Sequence, residues 1–210
     1  MAQLKIAILA SGRGSNFEAI LNNIKHGQLD ATIQVVISNK ASAGALEIAR
    51  NNQLPAIHLS SKDFPDQEQF DQRLLAILRQ HDVNFIVLAG YLKMLSPFIV
   101  REFKHRILNI HPALLPSFGG KGMYGHYVHQ AVLDYGCKVT GVTVHLVDEE
   151  YDTGPPVLQR CVAVMDDDTA ESLAERVLKV EHQIYTEALQ LFAEDRIEID
   201  GRRVRVKPRL

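Results

Sequence analysis

Short apolar runs of strand length alternate, through the first half of the chain, with stretches whose apolar residues recur at helical spacing. Strands joined in this way run parallel, because a parallel pair needs a long crossover that a helix supplies. Leu4 to Ala10 reads as a buried strand, Asn16 to His26 as a helix and Ile33 to Ser38 as the next strand. Ala43 to Asn51 is helical in pattern and Ala56 to Leu59 a short strand. Phe70, Leu74, Leu75 and Leu78 then share a helical face, and Phe85 to Leu88 is a further buried strand. Ser96-Pro97 starts a helix, with serine at the cap and proline at the first helical position.

Beyond the strand Ile107 to Ile110 the texture changes. His111 to Gly125 is rich in proline and glycine, long enough for a functional loop. Alternation predicts strands over Val139 to Val147 and Val157 to Val164, with the acidic loop Asp148-Glu149-Glu150-Tyr151-Asp152-Thr153-Gly154-Pro155 between them. Thr169 to Ala193 is a long amphipathic helix, and Ile197 to Val206, with Asp200-Gly201 at its centre, a terminal hairpin. Neither repeat nor linker interrupts the 210 residues, so one domain is expected.

Composition excludes several classes. Hydrophobic residues at 46% and charged residues at 23% remove the chain from the disordered class. Lys plus Arg at 23 against Asp plus Glu at 25 gives a formal charge of -2, which leaves no global field to draw in nucleic acid or an anionic membrane. The basic residues Arg202, Arg203, Arg205, Lys207 and Arg209 read as a solvated hairpin end. Cys137 and Cys161 have neither metal-knuckle spacing nor the number of a disulfide framework, and are expected as small buried residues in a reducing compartment. The first apolar run ends at Leu9, too short for a signal segment or a spanning helix, so a cytoplasmic protein is expected. The histidines show no ligand spacing with carboxylates or thiols, and no metal is expected.

Three segments carry candidate chemistry. Ser11-Gly12-Arg13-Gly14-Ser15-Asn16 follows the first strand and opens a helix, where outward backbone amides and the helix dipole suit a phosphate. Phe17-Glu18 occupies the place of the third glycine of a dinucleotide fingerprint, which weakens an NAD reading; a plain strand-to-helix turn is the simpler alternative. Asn109-Ile110-His111-Pro112 ends a buried strand, where open parallel sheets bind ligands; His111 exchanges protons near neutrality and Asn109 offers an amide to an oxyanion. Asp152-Thr153-Gly154-Pro155 closes the acidic loop at a turn, where one carboxylate can orient an imidazole and stabilise its charged form. Such a trio, with no nucleophilic Ser or Cys beside it, suits direct transfer of an activated acyl group to an amine. Turn formers and a solvated charge cluster are the plainer readings of the same residues.

The segments Ile8 to Asn16, Val87 to Tyr91, Asn109 to Phe118 and Asp152 to Pro155, in that order, resemble the folate-dependent phosphoribosylglycinamide formyltransferase family. The resemblance implies a Rossmann-like α/β fold: a mostly parallel twisted sheet, helices on both faces and antiparallel strands in the C-terminal half. It implies a phosphate-binding half over about 1–105 and a folate-binding, catalytic half over about 106–210 of a single 1–210 domain. The implied reaction moves formyl from 10-formyltetrahydrofolate to the amine of glycinamide ribonucleotide. Asn109, His111 and Asp152 match the family's catalytic trio, with a protonated His111 helping Asn109 stabilise the oxyanion. Gly14, Ser15 and Asn16 match its phosphate loop, with Pro112 and Glu181 also on the ribonucleotide; Val177, Glu181, Ile184 and Ala188 share one helical stripe, so that carboxylate edges an apolar face. The folate is expected between Leu92, Lys93, Met94 and Leu95 on one side and Val147 to Asp152 on the other, with Asn109 also in reach.

Lys93 stands where many relatives have arginine and cannot grip a carboxylate bidentately; Gln67 lies near another such position. The glycine-rich loop Gly119 to His126 reads as a mobile cover, with His126 and His129 unassigned. Partners are then two small molecules, neither nucleic acid nor membrane, and a monomer or homodimer. Rivals are formyl transfer to initiator methionyl-tRNA, hydrolysis of formyltetrahydrofolate and a non-catalytic nucleotide-binding module. The first carries an additional C-terminal RNA-binding domain against about 17 residues after the long helix here, and the second an N-terminal regulatory domain where none precedes Leu4.

Overall fold

A computed structural model describes residues 3–209; Met1, Ala2 and Leu210 lie outside it. The chain divides into two compact units, one ending at Leu108 and one beginning at Asn109. Its mixed sheet has seven strands, in the order β3-β2-β1-β4 through the first unit and β5-β6-β7 through the second.

In the first unit, strands β1 (Leu4–Ala10), β2 (Ala31–Ser38), β3 (Ala56–His58) and β4 (Phe85–Leu88) alternate with helices α1 (Ser15–Lys25), α2 (Gly44–Asn51) and α3 (Gln67–Gln80), followed by α4 (Pro97–Glu102). All four strands are parallel, with Leu4 opposite Ala31, Ile6 opposite Phe85 and Val36 opposite Ala56. Ile6, Ala7, Ile8, Leu9 and Ala10 are all fully buried, which is why the strand reads as a continuous apolar run. The helices lay Phe17, Ile20, Leu46, Leu74 and Leu78 into this core. Asp66 caps α3 by accepting from the Gln69 amide, and Ser96 caps α4 with Pro97 in its first turn.

Strand β5 (Ile107–His111) passes from the first unit into the second. There follow α5 (His126–Asp134), β6 (Val139–Leu146), β7 (Pro156–Ala163), α6 (Ala170–Ala193) and the hairpin β8 (Ile197–Asp200) with β9 (Arg203–Val206). β6 and β7 are antiparallel, and their register shifts between Val144 and His145, so that Val144 faces Leu158 while His145 faces Pro156. Thr169 caps α6 reciprocally with Ser172, and the helix buries Leu173, Val177, Ile184, Tyr185, Ala188 and Leu189.

Two points differ from the sequence reading. Residues 126–134 form a helix that the sequence did not announce: it starts at Gly125 without a side-chain cap and buries only Val128, His129 and Val132. The cysteines are not core residues, for Cys161 is exposed and Cys137 half-buried. β7 is the last strand in the sheet order, and its run Gln159 to Cys161 lies open. Among the described residues no helix is long and apolar enough to cross a membrane.

Candidate active site

Side chains two apart on a strand share a face, so the end of β5 turns Asn109 and His111 the same way while Ile110 enters the core. His111 is buried and Asn109 half-buried. The chain leaving β5 is pinned by Thr143 of β6, whose hydroxyl donates to the Ala113 carbonyl at 2.7 Å and accepts the Leu115 amide at 3.0 Å.

Asp152 arrives from the loop after β6. Asp148 stitches that loop together, accepting from the Glu150 amide at 3.2 Å and the Thr153 hydroxyl at 2.7 Å. Arg202, from the terminal hairpin, donates to the Thr153 carbonyl at 2.8 Å. Asp152 itself takes a left-handed backbone with φ 56.

The carboxylate has three polar neighbours. Oδ2 accepts the Gly120 amide at 2.9 Å and lies 3.6 Å from His111 Nδ1, while Oδ1 lies 3.6 Å from His145 Nε2. Nε2 of His111 donates to the Phe118 carbonyl at 2.8 Å. Burial alone would raise the Asp152 pKa, but His145, His111 and the Gly120 amide together hold it below the usual carboxylate range, so it is ionised at neutral pH. Burial pushes the His111 pKa below 6.5 against the opposing pull of Asp152 and the Phe118 carbonyl. The ring therefore stands neutral at neutral pH beside a fixed negative charge, and the protonated His111 that the sequence reading sets beside the oxyanion has to form during the reaction. A cavity of about 330 Å³ borders Asp152, lined by Leu115, Gly119, Gly120 and Arg202 among others.

Sequence reasoning missed His145. It is buried at the end of β6, donates from Nδ1 to the Leu146 carbonyl at 2.8 Å and holds Nε2 3.1 Å from Asn109 Nδ2. A single histidine closing an apolar strand, three residues before Asp148, was the available signal.

The second unit thus brings Asn109, His111 and Asp152 together. Pro112 and Val147 are half-buried where they leave β5 and β6, and Glu181 is buried on the apolar stripe of α6. Gly14, Ser15 and Asn16 lie in the first unit, at the turn into α1. Ser11 braces that turn: its hydroxyl donates to Asn39 Oδ1 at 2.6 Å and accepts the Leu92 amide at 2.9 Å. Of the segment 92–95, Leu92, Lys93 and Met94 are exposed while Leu95 is buried in the core. Among the described residues no group of His, Cys, Asp or Glu could hold a metal ion.

The formyl transferase family model matches residues 4–189. The chain is 46% identical to a chloroplastic phosphoribosylglycinamide formyltransferase of Vigna unguiculata over 92% of its own length, and spans 62% of that relative. It is 36% identical to the phosphoribosylglycinamide formyltransferase of Bacillus subtilis (strain 168), covering 89% of this chain and 93% of that one. A crystal structure of glycinamide ribonucleotide transformylase 1 from Symbiobacterium toebii superposes with a TM-score of 0.92 at 41% identity, over 98% of this chain and 95% of that one. The chain belongs to the formyl transferase family, among its phosphoribosylglycinamide formyltransferases.

Proposed function

We propose that the chain transfers the formyl group of 10-formyltetrahydrofolate to the amine of glycinamide ribonucleotide, as a cytoplasmic monomer or homodimer acting on two small molecules. One observation carries the reading: a buried histidine and an ionised aspartate 3.6 Å apart, with a strand-end carboxamide on the same strand face as the histidine.

The amine nitrogen attacks the formyl carbon, and the carbonyl oxygen gains negative charge as the tetrahedral adduct forms. An N–H of Asn109 donates to that oxygen. The adduct then expels N10 of the folate, breaking its bond to carbon, and one proton passes from the former amine to that nitrogen. Nε2 of His111 already donates to Phe118, so Nδ1 is the ring position left to gain the proton. A proton there sits 3.6 Å from Asp152 Oδ2, whose charge stabilises the imidazolium until the leaving nitrogen takes the proton. Within the first unit, Gly14, Ser15 and Asn16 are the residues for the ribonucleotide phosphate; within the second, Val147 to Asp152 are those for the folate.

The test is absorbance-monitored turnover of 10-formyltetrahydrofolate with and without glycinamide ribonucleotide. Turnover that requires the ribonucleotide, and is lost in His111→Ala, is the expected result. Turnover in its absence would identify a hydrolase, and none in either mixture a binding module or another acceptor.

A further inference from the structure

We propose that His145 is a positioning residue that fixes the orientation of the Asn109 carboxamide, an inference that rests on the role given to Asn109 above. A carbonyl oxygen only accepts, so the 2.8 Å contact with Leu146 O requires a proton on His145 Nδ1. In the tautomer so selected, Nε2 carries a bare lone pair. Only a donor fits there, and Asn109 Nδ2 lies 3.1 Å away. The Leu146 carbonyl thereby selects the tautomer, and the tautomer selects which end of the carboxamide faces the histidine. One N–H of Asn109 is held by His145, and the other is left for a substrate oxygen.

The backbone supports this placement. The β6–β7 register breaks between Val144 and His145, because Val157 is an extra residue on β7. Such a bulge re-aims the side chain beside it and recurs next to active sites. His145 is 2% exposed, so few alternative orientations are open to its ring. Asp152 Oδ1 is 3.6 Å from Nε2, beyond hydrogen-bond reach, so Asn109 is the partner that this nitrogen bonds.

The experiment has two arms. Nitrogen-15 spectra of the labelled protein read the tautomer directly at neutral pH. The expected result is a protonated Nδ1 and a bare Nε2 on His145; a protonated Nε2 would overturn the proposal. The second arm measures formyl transfer by His145→Phe, His145→Gln, Asn109→Ala and the His145→Phe/Asn109→Ala double variant. Phenylalanine keeps the ring volume and removes the acceptor, and kcat falls by about 10- to 100-fold with both KM values little changed. Glutamine places an oxygen near the Nε2 position and recovers most of that loss. In the Asn109→Ala background the His145→Phe change adds little, because the two residues act as a unit. Equal losses in both backgrounds, or equal activity of the Phe and Gln variants, would reject positioning. Full activity of Asn109→Ala would instead reject the catalytic reading itself, so the two failures are told apart.

Discussion

The carbonyl oxygen of Phe118 lies 2.8 Å from His111 Nε2, and it is presented by a backbone in the left-handed region, with φ 54. Two residues later the Gly120 amide meets Asp152 Oδ2 at 2.9 Å. One short segment of the glycine-rich loop therefore satisfies both members of the His111–Asp152 pair from the backbone, whatever side chains it carries. This loop is a structural part of the pair.

Because Nε2 is already committed, the charge state of His111 is decided at Nδ1, where Asp152 favours the proton and burial opposes it. Asp152→Asn removes the favourable charge and leaves burial in place, so the His111 pKa falls further below its already lowered value. Titration of the His111 ring by NMR in both proteins checks this. A rise in the variant would mean that Asp152 does not stabilise the imidazolium.

His129 gives the fold a sensitivity to acid. Its Nδ1 is buried without a hydrogen-bond partner, and burial, His126 and His111 push its pKa down to about 4. The unfolded chain binds this proton near pH 6.5, and the folded chain resists it until about 4. Stability is therefore lost as pH falls through that window, on the order of 3 kcal/mol from this group. Urea unfolding at neutral pH and near pH 4 is expected to show a smaller difference in His129→Phe than in the parent. Equal differences would place the acid sensitivity elsewhere.

Gly154 is the tightest glycine position near Asp152. A Cβ added there would lie 1.8 Å from the Leu146 carbonyl oxygen, and that is the same carbonyl that accepts from His145 Nδ1. Gly154→Ala must displace backbone and is expected to destabilise the fold by about 3 kcal/mol or more. Gly12→Ala, with nothing within 4 Å of the added carbon, is expected to stay within about 0.5 kcal/mol of the parent. Denaturant midpoints of the two variants would expose an error if they shifted alike.

The parts legible in the sequence were those in which one residue's surroundings follow from its neighbours. β1 and β4 are covered on both faces, so their apolar runs are unbroken, and the two-residue spacing of Asn109 and His111 places them on one face. His145 was not legible because a buried histidine ending an apolar strand looks the same in sequence whether it packs or positions. Its meaning comes from Asn109, 36 positions away along the chain. Likewise α5 lacked a cap to announce it, and the exposure of Cys161 depends on where β7 falls in the sheet order. The carbonyl of Phe118 is a main-chain group in a left-handed conformation, and side-chain type carries no information about it.

Gly14 offers a test of the proposed phosphate loop apart from the chemistry. It has φ 90 and caps α1 without a side-chain bond, its carbonyl accepting the Glu18 amide at 2.8 Å. A Cβ there would come within 2.9 Å of both Cα and Cβ of Ala45, at the first turn of α2. Alanine is thus opposed twice, by the left-handed backbone, at about 1–2 kcal/mol, and by the helix it would strike. The relief available is a rotation of the turn, which moves the outward amides at the start of α1. Ribonucleotide affinity in Gly14→Ala is therefore expected to fall by about tenfold or more, a change of about 1.4 kcal/mol. Folate affinity should stay near the parent value. Equilibrium binding of each substrate, measured separately on the folded variant, checks this. A stability loss with unchanged ribonucleotide affinity would leave the turn a structural cap and move the phosphate site elsewhere.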